Sequence, residues 1–125
     1  MIYKYEVELY EKIDKEVPVL DFILSLDPKQ QAKIYREIEL LKKFGTKLQF
    51  PHVRKIQGER YKALWELRIK FASDLFRIIF FMYYQNISIL LHGFKKKAGK
   101  TPPKELEIAL NRMKEYLERK KDEMG

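Results

Sequence analysis

YKALWELRIKFASDLFRIIFFMYYQNISILLHGF, the stretch from Tyr61 to Phe94, decides the fold. Its first ten residues alternate. Tyr61, Ala63, Trp65, Leu67 and Ile69 fall on one face of a strand, and Lys62, Leu64, Glu66, Arg68 and Lys70 on the other. Leu75 to Tyr84 is apolar on both faces, the mark of a central strand. A tight turn at Gln85 and Asn86 leads into a third strand, Ile87 to Phe94. Antiparallel pairing across the Phe71–Asp74 connection brings Arg68 beside Arg77, with Glu66 two residues away on the same face.

Working outward, Ile2 to Glu11 also alternates, with Tyr3, Tyr5, Val7 and Leu9 on the buried side. Pro18 suits a first helical turn, and Val19, Leu20, Ile23, Leu24 and Leu26 make a short apolar helix. Asp27-Pro28-Lys29-Gln30 reads as a new helix start, with Asp as the N-cap and Gln as its capping-box partner. Ala32, Tyr35, Ile38, Leu40 and Leu41 follow at helical spacing, and Gly45 ends the run. Gly45 to Gly58, with Pro51 and His52 inside it, reads as irregular. Lys95 to Lys100 is a basic loop. Thr101-Pro102-Pro103 opens a last helix to about Lys121, whose stripe is Leu106, Ala109, Leu110, Met113, Tyr116 and Leu117. The expected order is β-α-α-β-β-β-α, an α+β fold in one domain spanning residues 1–125.

The net charge of +8 sits wholly in the middle of the chain. Between Pro51 and Thr101 stand Arg54, Lys55, Arg60, Lys62, Arg68, Lys70, Arg77, Lys95, Lys96, Lys97 and Lys100, against Glu59, Glu66 and Asp74. Both flanks are neutral. A basic sheet between neutral helical flanks points to a polyanion such as RNA or DNA. The longest apolar run, Ile78 to Tyr84, is far short of the ~20 residues of a membrane span. The N-terminus has no signal-peptide core, so no membrane association and a cytoplasmic location are expected. The absence of cysteine excludes disulfides, thiolate nucleophiles and cysteine zinc sites. His52 and His92 have no matching carboxylate spacing, so no metal is expected. No nucleotide-cradling glycine loop or serine elbow is present, and no cofactor is expected.

Arg77 stands alone in an apolar strand. It is either a structural ion pair with Glu66 or Asp74, or a phosphate ligand whose planar fork donates two hydrogen bonds. Arg68 is either a phosphate contact or part of a solvated sheet face. Lys95, Lys96, Lys97 and Lys100 are surface charge or a phosphate-binding loop in which crowding lowers one lysine's pKa. His92, in an apolar strand, is a core residue or a general acid/base.

Tyr61…Leu64-Trp65-Glu66-Leu67-Arg68, Phe76-Arg77-Ile78, Ile89 to Lys97 and Lys100-Thr101-Pro102 together resemble the phage-derived HigB-like toxins of the RelE/ParE superfamily. The resemblance covers about residues 60–117. It implies a toxin of a type II toxin–antitoxin pair that cuts mRNA on the ribosome, silenced by a helix-turn-helix antitoxin. It further implies a twisted antiparallel sheet with helices packed on one face and a basic cleft on the other. Arg68, Arg77 and Lys95–Lys97 fall at the family's basic functional positions. The chain departs from RelE-type enzymes at Leu64 and Glu66, where they carry lysines, and has no clear counterpart of their C-terminal catalytic tyrosine. In the implied site Arg68 and Arg77 stabilise charge building on phosphorus, and Lys95, Lys96 or His92 transfers protons. Lys62, Lys70, Lys97 and Lys100 are the expected RNA-binding cations. Two other readings remain open: a ParE-like inhibitor that binds DNA gyrase, and a catalytically inert nucleic-acid-binding relative.

Overall fold

The computed structural model describes residues 4–96 and 99–124, so Lys97 lies outside the described residues. The elements are β1 (Glu6–Leu9), α1 (Pro18–Leu24), α2 (Pro28–Phe44), β2 (Val53–Lys55), β3 (Leu64–Phe71), β4 (Asp74–Tyr83), β5 (Ile87–Lys95) and α3 (Pro103–Met124). Short 3-10 turns at Gly45–Lys47 and Glu59–Tyr61 flank β2. The chain is α+β, with five strands in one sheet ordered β1-β5-β4-β3-β2.

Three features differ from the sequence reading. Val53–Lys55, inside the segment read as irregular, is a strand paired antiparallel to β3. β1 runs parallel to β5, so the sheet is mixed. The helices pack on both faces. β1 and β2 occupy opposite edges, so the α1–α2 hairpin between them must cross one whole face. Val19, Ile23, Ile34, Ile38 and Leu41 bury that face, against Leu67, Ile69, Phe76, Ile78, Phe80 and Leu90. The opposite face presents Leu64, Ile79, Phe81, Ile89 and Leu91, and α3 covers it with Leu106, Ala109, Leu110, Met113 and Tyr116. A central strand apolar on both sides needs cover on both sides, since each buried Leu, Ile or Phe contributes about 1.5–3 kcal/mol.

Local chemistry fixes the elements. Asp27 accepts from the Gln30 backbone N–H at 3.0 Å, while the Gln30 side chain accepts from the Asp27 N–H at 3.1 Å, the expected capping box. The buried stripe of α2 runs through Ile34, Glu37, Ile38 and Leu41 rather than Tyr35, which is exposed. The β4–β5 turn spans Tyr84, Gln85 and Asn86, one residue longer than the expected Gln85-Asn86, with positive φ at Tyr84 and Gln85. On β5, Ile79 pairs with His92 and Phe80 with Leu90, so Leu91 is the extra residue of a bulge. Its carbonyl accepts a hydrogen bond from Arg112 Nη1 of α3 at 2.9 Å. Gly93 lets α1 close onto β5, because an added Cβ would lie 2.5 Å from the Phe22 ring.

Candidate functional site

Alternation along β4 sends Phe76, Ile78 and Phe80 toward α1–α2 and Arg77, Ile79 and Phe81 toward the other side. α3 starts only at Pro103, so its apolar stripe covers Ile79 and Phe81 but stops short of Arg77. At this end of the sheet the inward row changes from apolar to charged. Register places Arg54 of β2 opposite Glu66 of β3, and Arg68 of β3 opposite Arg77 of β4. Like charges directly opposite on one sheet face repel. The carboxylate of Glu66 stands among these three arginines and offsets part of that repulsion.

Glu66 is fully buried, and Arg77 is 1% exposed. Arg77 Nη1 lies 3.6 Å from Glu66 Oε2, so its structural partner is Glu66, not Asp74. Arg77 Nη1 donates to Thr101 Oγ1 at 3.1 Å and Nη2 donates to the Gly99 carbonyl at 2.7 Å. The Thr101 hydroxyl in turn donates to Glu66 Oε2. One hydroxyl thus joins guanidinium to carboxylate and ties the segment before α3 down onto the sheet. Burial draws the Arg77 pKa down; Glu66 opposes this, while Arg68 and Arg54 add to it. An arginine nevertheless keeps its proton.

Arg68 is positioned differently. Its backbone N–H donates to the His52 carbonyl at 2.8 Å, and its Nε lies 3.4 Å from Glu66 Oε1 without hydrogen-bond geometry. Its guanidinium sits over the Phe50 ring, 4.8 Å from the centroid. The Nε atoms of Arg54, Arg68 and Arg77 and the Oε1 atom of Glu66 are buried without a hydrogen-bond partner among the described residues. A buried polar atom without a partner is costly, and Arg68 Nε and Glu66 Oε1 offset part of that cost by facing each other.

Beside them is a cleft of about 490 Å³ lined by Phe50, Arg54, Arg68, Lys70, Ser73, Asp74, Leu75, Arg77, Gly99 and Lys100. A second hollow of about 360 Å³, with Gln57, Tyr61, Thr101 and Leu106 in its wall, shares Arg54 and Lys100 with it. Arg54 and Lys100 stand between the two hollows, and five cations line the larger groove.

The structure gathers Arg68, Arg77, Lys70 and Lys100 at this groove. Lys95 borders it through an ion pair with the lining residue Asp74 at 3.3 Å. Lys96 is half-buried, and its backbone N–H donates to the Leu75 carbonyl at 2.9 Å. Lys62 stands apart. It is exposed beyond the other end of β3, paired with Glu59 at 2.8 Å, and lines neither hollow.

His92 also lines neither hollow. It lies under α3, where Nε2 is 2.8 Å from Glu105 Oε2 and Nδ1 is 3.2 Å from Arg112 Nη1. Arg112 can only donate, so Nδ1 accepts and Nε2 carries the proton toward Glu105. Burial lowers the His92 pKa; Glu105 pulls the other way and Arg112 reinforces burial. The ring is a neutral packing element stacked on Phe94, 5.6 Å between centroids. Tyr116, 5% exposed, is core.

Arg54, Phe50 and Thr101 are groove residues that the sequence reading passed over. Arg54 falls in the stretch read as irregular, and only the pairing of β2 with β3 sets it opposite Glu66. Among the described residues, no group of three His, Asp or Glu converges as a metal site would require. The groove can hold a phosphodiester and stabilise negative charge developing on its oxygens.

The fold is an α+β sheet with helices on both faces and an arginine-lined groove at one end. The chain belongs to the phage-derived Gp49-like protein family (DUF891), whose pattern it matches over residues 21–114. No curated protein matches it. No described helix is long and apolar enough to cross a membrane.

Proposed function

We propose that this chain is the toxin of a type II toxin–antitoxin pair, and that it cuts mRNA on the ribosome without a metal. One observation carries the reading: Arg54, Arg68, Lys70, Arg77 and Lys100 line one groove, five cations set about the buried carboxylate of Glu66. Membership in a phage-derived family and the resemblance to RelE-type toxins support it.

RNA cleavage by its own 2′-hydroxyl needs a base, cations at phosphorus and an acid for the leaving 5′-oxygen. Arg68 and Arg54 supply charge stabilisation, with Arg77 behind them holding Glu66 and the 99–101 segment in place. His92 is engaged under α3, so proton transfer falls to the lysine run that closes β5: Lys95, whose partner Asp74 lines the groove, Lys96, whose backbone is hydrogen-bonded to Leu75, and Lys97, the next in sequence. The ribosome contributes by holding the mRNA in an in-line geometry. A cognate helix-turn-helix antitoxin silences the toxin by covering the groove or the elements beside it.

Brief induction followed by primer extension on translated mRNA tests this. New 5′ ends inside translated codons are expected, and they should vanish in Arg68→Ala while the variant remains folded by circular dichroism. Intact mRNA with gyrase-dependent DNA breaks would replace the reading with gyrase inhibition. Intact mRNA and intact DNA, with RNA binding retained, would leave an inert binding relative, which the engagement of His92 outside the groove favours as second choice. Expression with the neighbouring gene should yield a tight complex on purification.

A further inference from the structure

Phe50 is 64% exposed, sits in neither core cluster and lines the groove. A single exposed aromatic is ordinary on a protein surface. This one is held in place beside the cations. One side of its ring faces the Arg68 guanidinium. The segment that carries it is tied down at several points. The His52 and Val53 N–H groups donate to the Gln49 carbonyl at 2.9 and 3.3 Å, and the His52 carbonyl accepts from Arg68 N–H. The His52 ring lies 2.9 Å from the buried carboxylate of Glu37 on α2. The ring is therefore held at the rim of the cationic groove on an anchored segment, with the Arg68 guanidinium on one side. A phosphate contact alone carries no information about a base, whereas an aromatic face held beside it engages an unstacked base.

We propose that Phe50 stacks a nucleobase of single-stranded RNA while Arg68, Arg54 and Lys70 hold the adjoining phosphate. This rests on the RNA reading above and extends it: the groove takes unpaired nucleotides, because a base within a duplex cannot reach the ring. Stacking on one aromatic tolerates any base, so Phe50 sets where the strand lies rather than its sequence.

The test uses a short single-stranded RNA with 2′-O-methyl sugars, which cannot cleave itself, either intact or with one abasic residue at each position in turn. Phe50→Ala should bind the intact strand about five- to 150-fold more weakly than the wild type, with unchanged melting temperature. Against the strand that is abasic at the stacked position, the same variant should lose nothing further. Phe50→Trp should restore binding, with its fluorescence quenched by the intact strand. Equal affinity of Phe50→Ala and wild type would remove the platform and leave the RNA reading standing. An equal loss against every abasic strand would show that the ring only positions Arg68, and would overturn stacking. A wild type that fails to bind single-stranded RNA even at low salt would remove the RNA reading and the platform together.

Discussion

Truncating Arg77 would leave the fully buried Glu66 with a weakened counter-charge and free the Gly99 carbonyl and Thr101 hydroxyl of their donor. Removing one partner of a buried pair costs about 3–5 kcal/mol, so Arg77→Ala is expected to lower the urea midpoint strongly. A midpoint within error of wild type would show that the network does not hold the 99–101 segment. Arg54 should behave oppositely. It has no ion pair among the described residues and repels Arg77, so Arg54→Ala should change stability by less than about 0.5 kcal/mol while weakening RNA binding. His92 gives a pH signature. Protonation would take away the acceptor that Arg112 uses and set two cations together. Its folded pKa lies below the usual 6.5, so the unfolded chain binds the proton more readily. The stabilisation is present above about pH 6.5 and is lost as the pH falls through the lower folded value. The midpoint of wild type should therefore fall between pH 7 and 5, with a smaller fall in His92→Gln. Parallel profiles would place the titration elsewhere.

At the scale of elements, α1 rests on β5 because Gly93 has no side chain. Gly93→Ala puts a methyl group 2.5 Å from the Phe22 ring, and Phe22 in turn packs edge-on against Phe76 at 6.2 Å. The half-buried ring must shift against Phe76 to make room, so a loss of about 1–3 kcal/mol is expected in thermal or urea unfolding. Gly93→Ala combined with Phe22→Leu should recover part of it, and additive losses would deny the contact. The bulge on β5 also has a consequence for the site. Leu91 and His92 both turn toward α3, so the histidine leaves the strand's expected alternation and meets Glu105 and Arg112. A general acid/base role was open on the sequence because a bulge is invisible there.

For the whole molecule, five of the eleven cations of the basic middle segment line the groove where α3 ends its cover of the sheet. Each phosphate contact releases condensed counterions, and log K should fall with log salt by about 0.7 per contact on a single strand. Arg54→Ala and Lys100→Ala, the two cations common to both hollows, should each flatten that slope by about 0.7. Lys62→Ala, at the far end of β3, should leave it unchanged. Equal effects from all three would mean that diffuse charge, not the groove, attracts the RNA.

The sequence by itself determined the α+β class, the three adjacent strands, the capped second helix and the stripe of α3, because each follows from a period of 2 or 3.6 and from capping chemistry within a few residues. It also set Arg68 beside Arg77, since a short connection between two antiparallel strands fixes their register. Tertiary structure alone decided the rest. Val53–Lys55 is a strand only because β3 offers it an edge, and that pairing brings Arg54 into the site. Whether Arg77 met a ligand or a carboxylate depended on Glu66 and Thr101, which are 11 and 24 residues from it in sequence and are joined to it only by packing. Phe50 became part of a groove because β2 carries its loop to Arg68. Local periodicity can assign a residue to a face. Which residues of other elements lie across from it depends on how those elements pack.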